Sequence, residues 1–352
     1  MIGLLAALAI LFAVRAEPVE TRPQSAPPAT RPSTSSARTV EERADETATQ
    51  YKLAGEVLIA KGDRILLDRG YGTIDPAGDA AHKAGERWRL ASITKQVFAV
   101  MAVAADGDQL DTPLGVAAKQ PALGATTLRQ LLTHHSGLAD PDATPADAAG
   151  VPGFYRAAAP DLGYCLSRPA TPGAAFHYNN CDYLVAASIV IDDVRTDTVW
   201  PRGMAMARAG EVGVPGFVAG KAEPALTLAN WGAAGGLIGS APAVFAFDRA
   251  LMTGKLLPPA GLKALWTPEG NGSYQALGQW VFPGRFKGCA APKRIVQRDG
   301  EIYGIQARNF ILPDDDLVVI VFTNRSSDDF KFGEVWEGKG FTYDLLSAVA
   351  CS

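Results

Sequence analysis

Two stretches suited to β-sheet sit at opposite ends of this chain, with a long run of helical sequence between them. Residues 53–72, LAGEVLIAKGDRILLDRGYG, alternate apolar and polar on both sides of Lys61-Gly62-Asp63. Alternation around a glycine-containing turn predicts a β-hairpin. Near the other end, IQARNFIL (305–312) and LVVIVFTN (317–324) flank Pro313-Asp314-Asp315-Asp316. That predicts a second hairpin, with the acidic run as its solvated turn rather than a metal site. The simplest assembly joins both ends in one sheet. The expected fold class is therefore α/β of the α+β kind: an antiparallel sheet built from both chain ends, flanked by helices, with an inserted, mostly helical lobe. A cleft would lie between lobe and sheet.

The helical signals are specific. Residues 92–107, SITKQVFAVMAVAADG, are apolar nearly all round and end at Gly107, so this helix is expected to be buried on every side. TLRQLLTHHSG (127–137) places Thr127 and Gln130 at capping-box spacing and should stop at Gly137. NCDYLVAASIVIDD (180–193) offers Asn180 as an N-cap. SAPAVFAFDRALMTG (240–254) is capped by Ser240 and closed at Gly254. A short helix, roughly 342–350, ends the folded region.

Ile2 to Val14 is almost wholly apolar, the length of a signal-peptide core and too short to span a bilayer. Small residues around Ala16 suit cleavage before Glu17, although no Lys or Arg precedes the apolar run. Residues 1–16 are read as a signal peptide or short anchor. Residues 17–50, rich in Pro, Ser and Thr, lack the apolar content to offset the entropy of ordering and read as a disordered linker. One domain, 51–352, follows. The expected location is secreted or periplasmic, with membrane contact only if the N-terminal segment stays uncleaved. The four cysteines form an even set, which in an exported chain suggests two disulfides. Three connectivities exist; the pairing expected is Cys165–Cys181 and Cys289–Cys351. Closing the first loop would contribute about 3 kcal/mol in the chain-entropy account. No zinc spacing occurs, and a net charge of −4 without a basic stripe excludes nucleic acid as a natural partner.

Three short motifs carry chemistry. Ser92 sits where the chain turns into the apolar helix, and Lys95 follows three residues later on the same helical face. Free N–H groups at a helix start stabilise an oxyanion. A lysine held off water loses its proton more readily and can accept one from a hydroxyl. Lys95 in an otherwise apolar first turn would be costly without a task or a partner. Tyr178 and Asn180 form Y-x-N just before a helix; a tyrosine between two cations could relay protons, and Asn180 could hold Lys95 or a substrate amide. Arg298-Asp299-Gly300 lies on a late strand, where Gly300 admits a second backbone and the N–H of Glu301 could point into the cleft.

The order Ser92-x-x-Lys95, Tyr178-x-Asn180, then a cation-x-Gly on a late strand resembles the serine β-lactamase and penicillin-binding-protein superfamily. Within it the chain is most similar to the class C β-lactamase-related group, which includes D-alanyl-D-alanine carboxypeptidases, D-amino-acid peptidases and family VIII esterases. LLTHHSGL (131–138) resembles that group's LLTHTSGL, and GGLIGSAPAVFAF (235–247) resembles the loop and helix before its last strands. The resemblance spans about residues 50–350. It implies the β-lactamase/transpeptidase-like fold, with 51–352 as the serine hydrolase domain. It implies Ser92 as the nucleophile and Lys95 and Tyr178 as the proton carriers, either one taking the first proton. Asn180 would orient Lys95 and substrate, Arg298 and Gly300 would support substrate, and the N–H groups of Ser92 and Glu301 would form an oxyanion hole. It implies no metal and no organic cofactor. The partner implied is a small-molecule or peptide substrate, peptidoglycan-derived peptides being one source.

The chain departs from the group at Arg298, where Lys or His is usual, and at Asp299, where Thr, Ser or Gly is usual. Arginine keeps the charge and can grip a carboxylate with two prongs, whereas Asp299 could pair with it and Glu301 adds negative charge. Strand alternation puts Arg298 and Gly300 on one face and the two acids on the other. The segment from Tyr178 to Gly235 is short for a large β-lactamase, which disfavours efficient antibiotic hydrolysis. The leading expectation is cleavage of D-amino-acid peptides or related amides and esters. Small-ester or β-lactam hydrolysis is the alternative, and a catalytically silent peptidoglycan- or partner-binding module is the alternative outside enzymes. His134, His135 and His177 read as structural, as neighbours in sequence rarely adopt a Ser–His geometry with Ser136. Trp231, Trp266 and Trp280 read as core or cleft wall.

Overall fold

A computed structural model of the chain describes residues 38–190, 200–270 and 272–351. The expected export segment 1–16, the first part of the expected linker, 17–37, and the last residues of the expected 180–193 helix lie outside the described residues. The sheet has seven strands: β1 (Gly55–Lys61), β2 (Arg64–Tyr71), β3 (Gln275–Ala276), β4 (Gln279–Gly284), β5 (Lys293–Ile302), β6 (Ile305–Leu312) and β7 (Leu317–Thr323). Their spatial order is β2-β1-β7-β6-β5-β4-β3, and every neighbouring pair is antiparallel. The first hairpin and the last are thus joined through β1 and β7, with Gly55 opposite Thr323 and Lys61 opposite Leu317.

β1 carries a continuous apolar run buried on both faces, and its successive side chains divide the interior in two. Leu58 and Ala60 point into the larger core, Val57 and Ile59 into the smaller one on the other face. The larger core is covered by α2 (Ile93–Asp106), α3 (Leu128–Leu132), α4 (Asn180–Val190) and α5 (Ala241–Met252). The smaller core is covered by α1 (Val40–Gln50) and α6 (Phe341–Ala350).

Three expectations are corrected here. Residues 40–50, assigned by composition to a disordered linker, are the helix α1. Thr39 and Glu42 close a capping box at its start, Ala44 and Ala48 are buried, and Arg43 Nε donates to the Ala348 carbonyl at 2.7 Å. The alanines, one turn apart, let α1 pack closely; averaged composition conceals such a pair. Helix α3 starts at the expected Thr127–Gln130 capping box but ends at Leu132, because His134 turns left-handed with φ 62°. The cap of α4 is Asn179, whose Oδ1 accepts from Cys181 N at 2.8 Å, which frees the Asn180 side chain for the cleft.

Both expected disulfides are present, Cys165–Cys181 and Cys289–Cys351, each with Cα atoms 5.3 Å apart. The first ties the segment Leu162–Cys165 to the opening turn of α4; the second ties the β4–β5 connection to the end of α6. In the last hairpin the acidic turn is matched by cations: Asp314 pairs with Arg294, Asp315 with Lys293 and Asp316 with Arg249. No helix among the described residues is long and apolar enough to cross a membrane.

Candidate active site

Ser92 is placed by a strained turn. The short strand Trp88–Arg89 pairs with Leu237–Gly239, the chain then passes through Ala91 at φ 46°, and Ser92 sits at the N-cap of α2. A non-glycine residue with positive φ is costly and is held only where its surroundings fix it. The Ser92 side chain makes no capping bond to its own helix. Its Oγ lies instead 2.6 Å from the Tyr178 hydroxyl and 3.1 Å from Lys95 Nζ.

Lys95 is fully buried, one turn into α2. Its Nζ donates to Ser92 Oγ, to Asn180 Oδ1 at 2.6 Å and to the Ala234 carbonyl at 2.6 Å, which uses all three ammonium hydrogens. Among the described residues no carboxylate bonds to it. Burial, reinforced by the nearby Arg298 cation, pushes its pKa down to about 8, although Tyr178 pulls the other way. The group is thus poised to exchange a proton near neutral pH.

Tyr178 stands between two cations. Arg298 Nη2 donates to its hydroxyl at 2.6 Å, and Lys95 Nζ lies 4.8 Å from its ring centre. Burial disfavours the phenolate, but Arg298 and then Lys95 outweigh it, and the pKa falls below the ordinary tyrosine value. Arg298, on β5, also donates from Nε to the Ser92 carbonyl at 2.9 Å and lies over the Trp280 ring at 5.0 Å. Two arms of its fork therefore serve the cluster itself rather than standing open for a carboxylate. Its Nη1 is buried without a partner among the described residues.

Gly300 is required by contact. A Cβ there would meet the Leu90 carbonyl oxygen at 2.5 Å and Ser92 N at 3.1 Å. The absence of a side chain lets β5 lie directly against the turn that carries Ser92. Asp299 does not pair with Arg298. Its Oδ1 lies 3.3 Å from Arg308 Nε and accepts from Gln297 Nε2 at 2.9 Å, while Glu301 accepts from Ser327 Oγ at 2.6 Å. The structure thus brings Ser92, Lys95, Tyr178, Asn180 and Arg298 into one hydrogen-bonded cluster, with Gly300 packed on it and Glu301 on the cavity wall.

A family model described as Beta-lactamase matches residues 37–339. The chain belongs to the beta-lactamase family. Members of that family are serine hydrolases. Among solved structures, D-amino acid amidase from Ochrobactrum anthropi SV3, complexed with D-phenylalanine, superposes with a TM-score of 0.68 at 16% identity, covering 89% of this chain and 98% of that one. D-stereospecific amidohydrolase from Streptomyces sp. gives 0.64 at 20% identity, covering 84% and 97%. A penicillin binding protein from Bacillus halodurans gives 0.60 at 20% identity, covering 87% and 99%. At these identities the likeness is one of fold.

The cavity in front of Ser92 in this beta-lactamase-family chain encloses about 650 Å³. Sequence reasoning missed Tyr155 and Asp142 among its wall residues. Tyr155 accepts from Asn180 Nδ2 at 2.7 Å and donates to Asp142 Oδ1 at 2.6 Å, so a hydrogen-bonded chain runs from Lys95 through Asn180 and Tyr155 to Asp142. Tyr155 also stacks on Trp231 at 4.1 Å. Asp142 has no ion-pair partner among the described residues, and burial raises its pKa. Both lie in single 3-10 turns, Pro141–Ala143 and Gly153–Arg156, too short for a periodic pattern to mark a residue as facing a cleft.

His134 lies behind Tyr178, ring centres 4.5 Å apart. Ser136 donates to Asp182 Oδ1, and Asp182 Oδ2 is 3.1 Å from His134 Nδ1. Burial pushes the Asp182 pKa well up and the His134 pKa well down, so burial disfavours the charged form of each. An acid partner for His134 therefore exists, although it stands between serine and histidine and the group packs as a brace. His177, largely exposed, bonds Asp140.

Proposed function

We propose that this beta-lactamase-family protein is an exported hydrolase that cleaves amides or esters of D-amino acids, D-amino-acid peptides included, through an acyl-enzyme on Ser92. The observation that carries the reading is Ser92 Oγ held between the Tyr178 hydroxyl and the Nζ of a buried Lys95 whose pKa is lowered to about 8. Ser92 Oγ attacks the carbonyl carbon while its proton passes to the Lys95–Tyr178 pair. The same proton goes to the departing nitrogen or oxygen as that bond breaks. Water then repeats the sequence and releases the acid. The N–H groups of Ser92 and Glu301 stabilise the oxyanion. Asn180 fixes Lys95, and Arg298 favours negative charge on Tyr178.

The choice among substrates rests on charge. Arg298 spends two donors on Ser92 and Tyr178, which disfavours a two-pronged grip on a substrate carboxylate. Asp142 supplies an anion without an ion-pair partner on the cavity wall, suited to a free α-ammonium. An amino-acid amide or ester fits that arrangement better than a β-lactam or a peptide's terminal carboxylate. The fold neighbours named as a D-amino acid amidase and a D-stereospecific amidohydrolase agree with it.

The test combines labelling with turnover. A fluorophosphonate should add once, on Ser92, and the adduct should be lost in Lys95→Ala. D-alaninamide should release D-alanine faster than the L-isomer releases L-alanine, with Ser92→Ala lower by roughly 10⁴-fold. A folded protein that neither labels nor turns over either amide or a simple ester would be a binding module instead.

A further inference from the structure

Large apolar side chains gathered at a surface mark a binding site more often than chance exposure. Five such residues are strongly exposed among the described ones: Ile65, Val116, Phe176, Tyr274 and Trp336. Three of the five, Phe176, Tyr274 and Trp336, stand around a single groove that encloses about 260 Å³. They come from three separate segments: the stretch before Tyr178, the turn before β3, and a helical turn at Val335–Glu337. Phe282 on β4 holds two of them in place, its ring 5.6 Å from Tyr274 and 5.8 Å from Trp336. The remaining lining is Trp280, Ser273 and Gln275. The Gln275 amide nitrogen is already bonded to the Ala276 carbonyl at 2.6 Å. Among the described residues no charged side chain lines the groove, so it suits an apolar group with a π-face or an alkyl surface.

What covers this groove follows from where it leads. Phe176 and Trp280 line both the groove and the cavity in front of Ser92. The opening is beside Arg298, whose guanidinium lies 5.0 Å from the Trp280 ring. The cavity runs along β5. At one end Trp280 sits opposite Gln297. At the other, Ile302 and Tyr303 face the 142–155 wall, with the Tyr303 hydroxyl donating to Gly150 O at 3.0 Å. On the reading above, the substrate ammonium sits on Asp142, toward that second wall. The part of the substrate beyond the scissile bond then extends the other way, past Trp280.

We propose that the groove formed by Phe176, Tyr274, Trp280, Phe282 and Trp336 binds an apolar group, aromatic by preference, carried on the departing side of the scissile bond. This rests on the hydrolase reading given above. The protein is thereby assigned to N-substituted amides, or to peptides with an aromatic or aliphatic residue just after the cleaved bond, rather than to primary amides alone.

The test uses two amides with a common acyl product. D-alaninamide and D-alanine benzylamide are compared by D-alanine release for wild type, Trp336→Ala and Tyr274→Ala. Each variant should lower kcat/KM for the benzylamide by about 10-fold and change the primary amide by less than about twofold. Equal losses on both amides, or none on the benzylamide, would overturn the proposal. D-phenylalaninamide tests the side: a penalty that follows the D-phenylalanyl group instead of the benzylamine would also overturn it. Failure of the hydrolase reading looks different, since wild type would then release D-alanine from neither amide. The groove is in that case read by calorimetric affinity for D-alanine benzylamide alone. Affinity lost in Trp336→Ala supports the groove, and affinity unchanged in it refutes the groove.

Discussion

Arg298 reaches the Tyr178 hydroxyl at 2.6 Å through Nη2, while its Nε holds the Ser92 carbonyl. The cation on the late strand is thus bonded into the Ser92–Lys95–Tyr178 cluster itself. Its charge disfavours the Lys95 ammonium and favours the Tyr178 phenolate, so both groups lose protons more easily because it is there. The expected rate–pH profile rises through about 8, and that apparent value belongs to the Lys95–Tyr178 pair. Replacing Arg298 with Met removes a cation next to both, which raises both pKa values. The rising limb of kcat/KM should move about one unit toward alkaline pH. A profile that keeps its midpoint would show that Arg298 acts by packing alone.

Gly300→Ala should lower both stability and reactivity, and the two losses can be read separately. The added methyl would meet the Leu90 carbonyl and crowd Ser92 N, so β5 must retreat from the serine turn. Overpacking of this kind destabilises by about 1–3 kcal/mol, and the displaced oxyanion donors should cost at least roughly 10-fold in kcat. Fluorophosphonate labelling rates, taken beside urea midpoints, read the two effects independently.

Asp142→Asn removes the cavity carboxylate while keeping an acceptor for the Tyr155 hydroxyl. Turnover of D-amino-acid amides with a free amine should fall by about 10- to 100-fold, mainly in KM. The N-acetylated counterpart, which carries no ammonium, should be nearly indifferent. Equal losses on the two substrates would place Asp142 in support of Lys95, through Tyr155 and Asn180, rather than in contact with substrate.

Stability should depend on a different acid. Glu56 on β1 is buried, accepts from Gly85 N and from Trp88 Nε1 at 2.6 Å, and adjoins Asp68. Burial chiefly, with the Asp68 contact adding to it, raises its pKa from 4.5 to about 8. The folded chain therefore keeps a proton that the unfolded chain releases near 4.5. The contribution is fully present below that pH and is lost as pH rises through about 8. Urea midpoints should decline across this window in wild type, and Glu56→Gln should flatten the decline. An equally steep decline in the variant would assign it to other groups.

Much of the fold was legible because its signals are local. Alternation in 53–72 and the short apolar runs that flank the acidic turn in 305–324 are read within a few residues, and the capping box at Thr127 needs only two residues at fixed spacing. Ser92 with Lys95, and Tyr178 with Asn180, share the same advantage: each pair is only two or three residues apart, at or just before a helix start. Long-range pairing left no such mark. Asp299 finds Arg308 on the neighbouring strand rather than the adjacent Arg298, and Asp142 reaches Lys95 only through Tyr155 and Asn180. The aromatic groove is assembled from separated segments, so no single stretch of sequence marks it. Helix α1 was missed for a related reason. Its two buried alanines count for little in composition, although they dock the helix against the end of α6.

The pairing of β1 with β7 has a consequence for how the protein is made. Gly55 must wait for Thr323 before the two ends of the sheet can join, and Ser92 must wait for Arg298 and Gly300. On the ribosome or during passage through a translocon, the serine and its lysine emerge long before the strand that completes them. Such distant closure is slow compared with local helix formation. On the proposed reading, Ser92 would become reactive only when nearly the whole chain has arrived, and a truncated product would carry the serine without the residues that surround it.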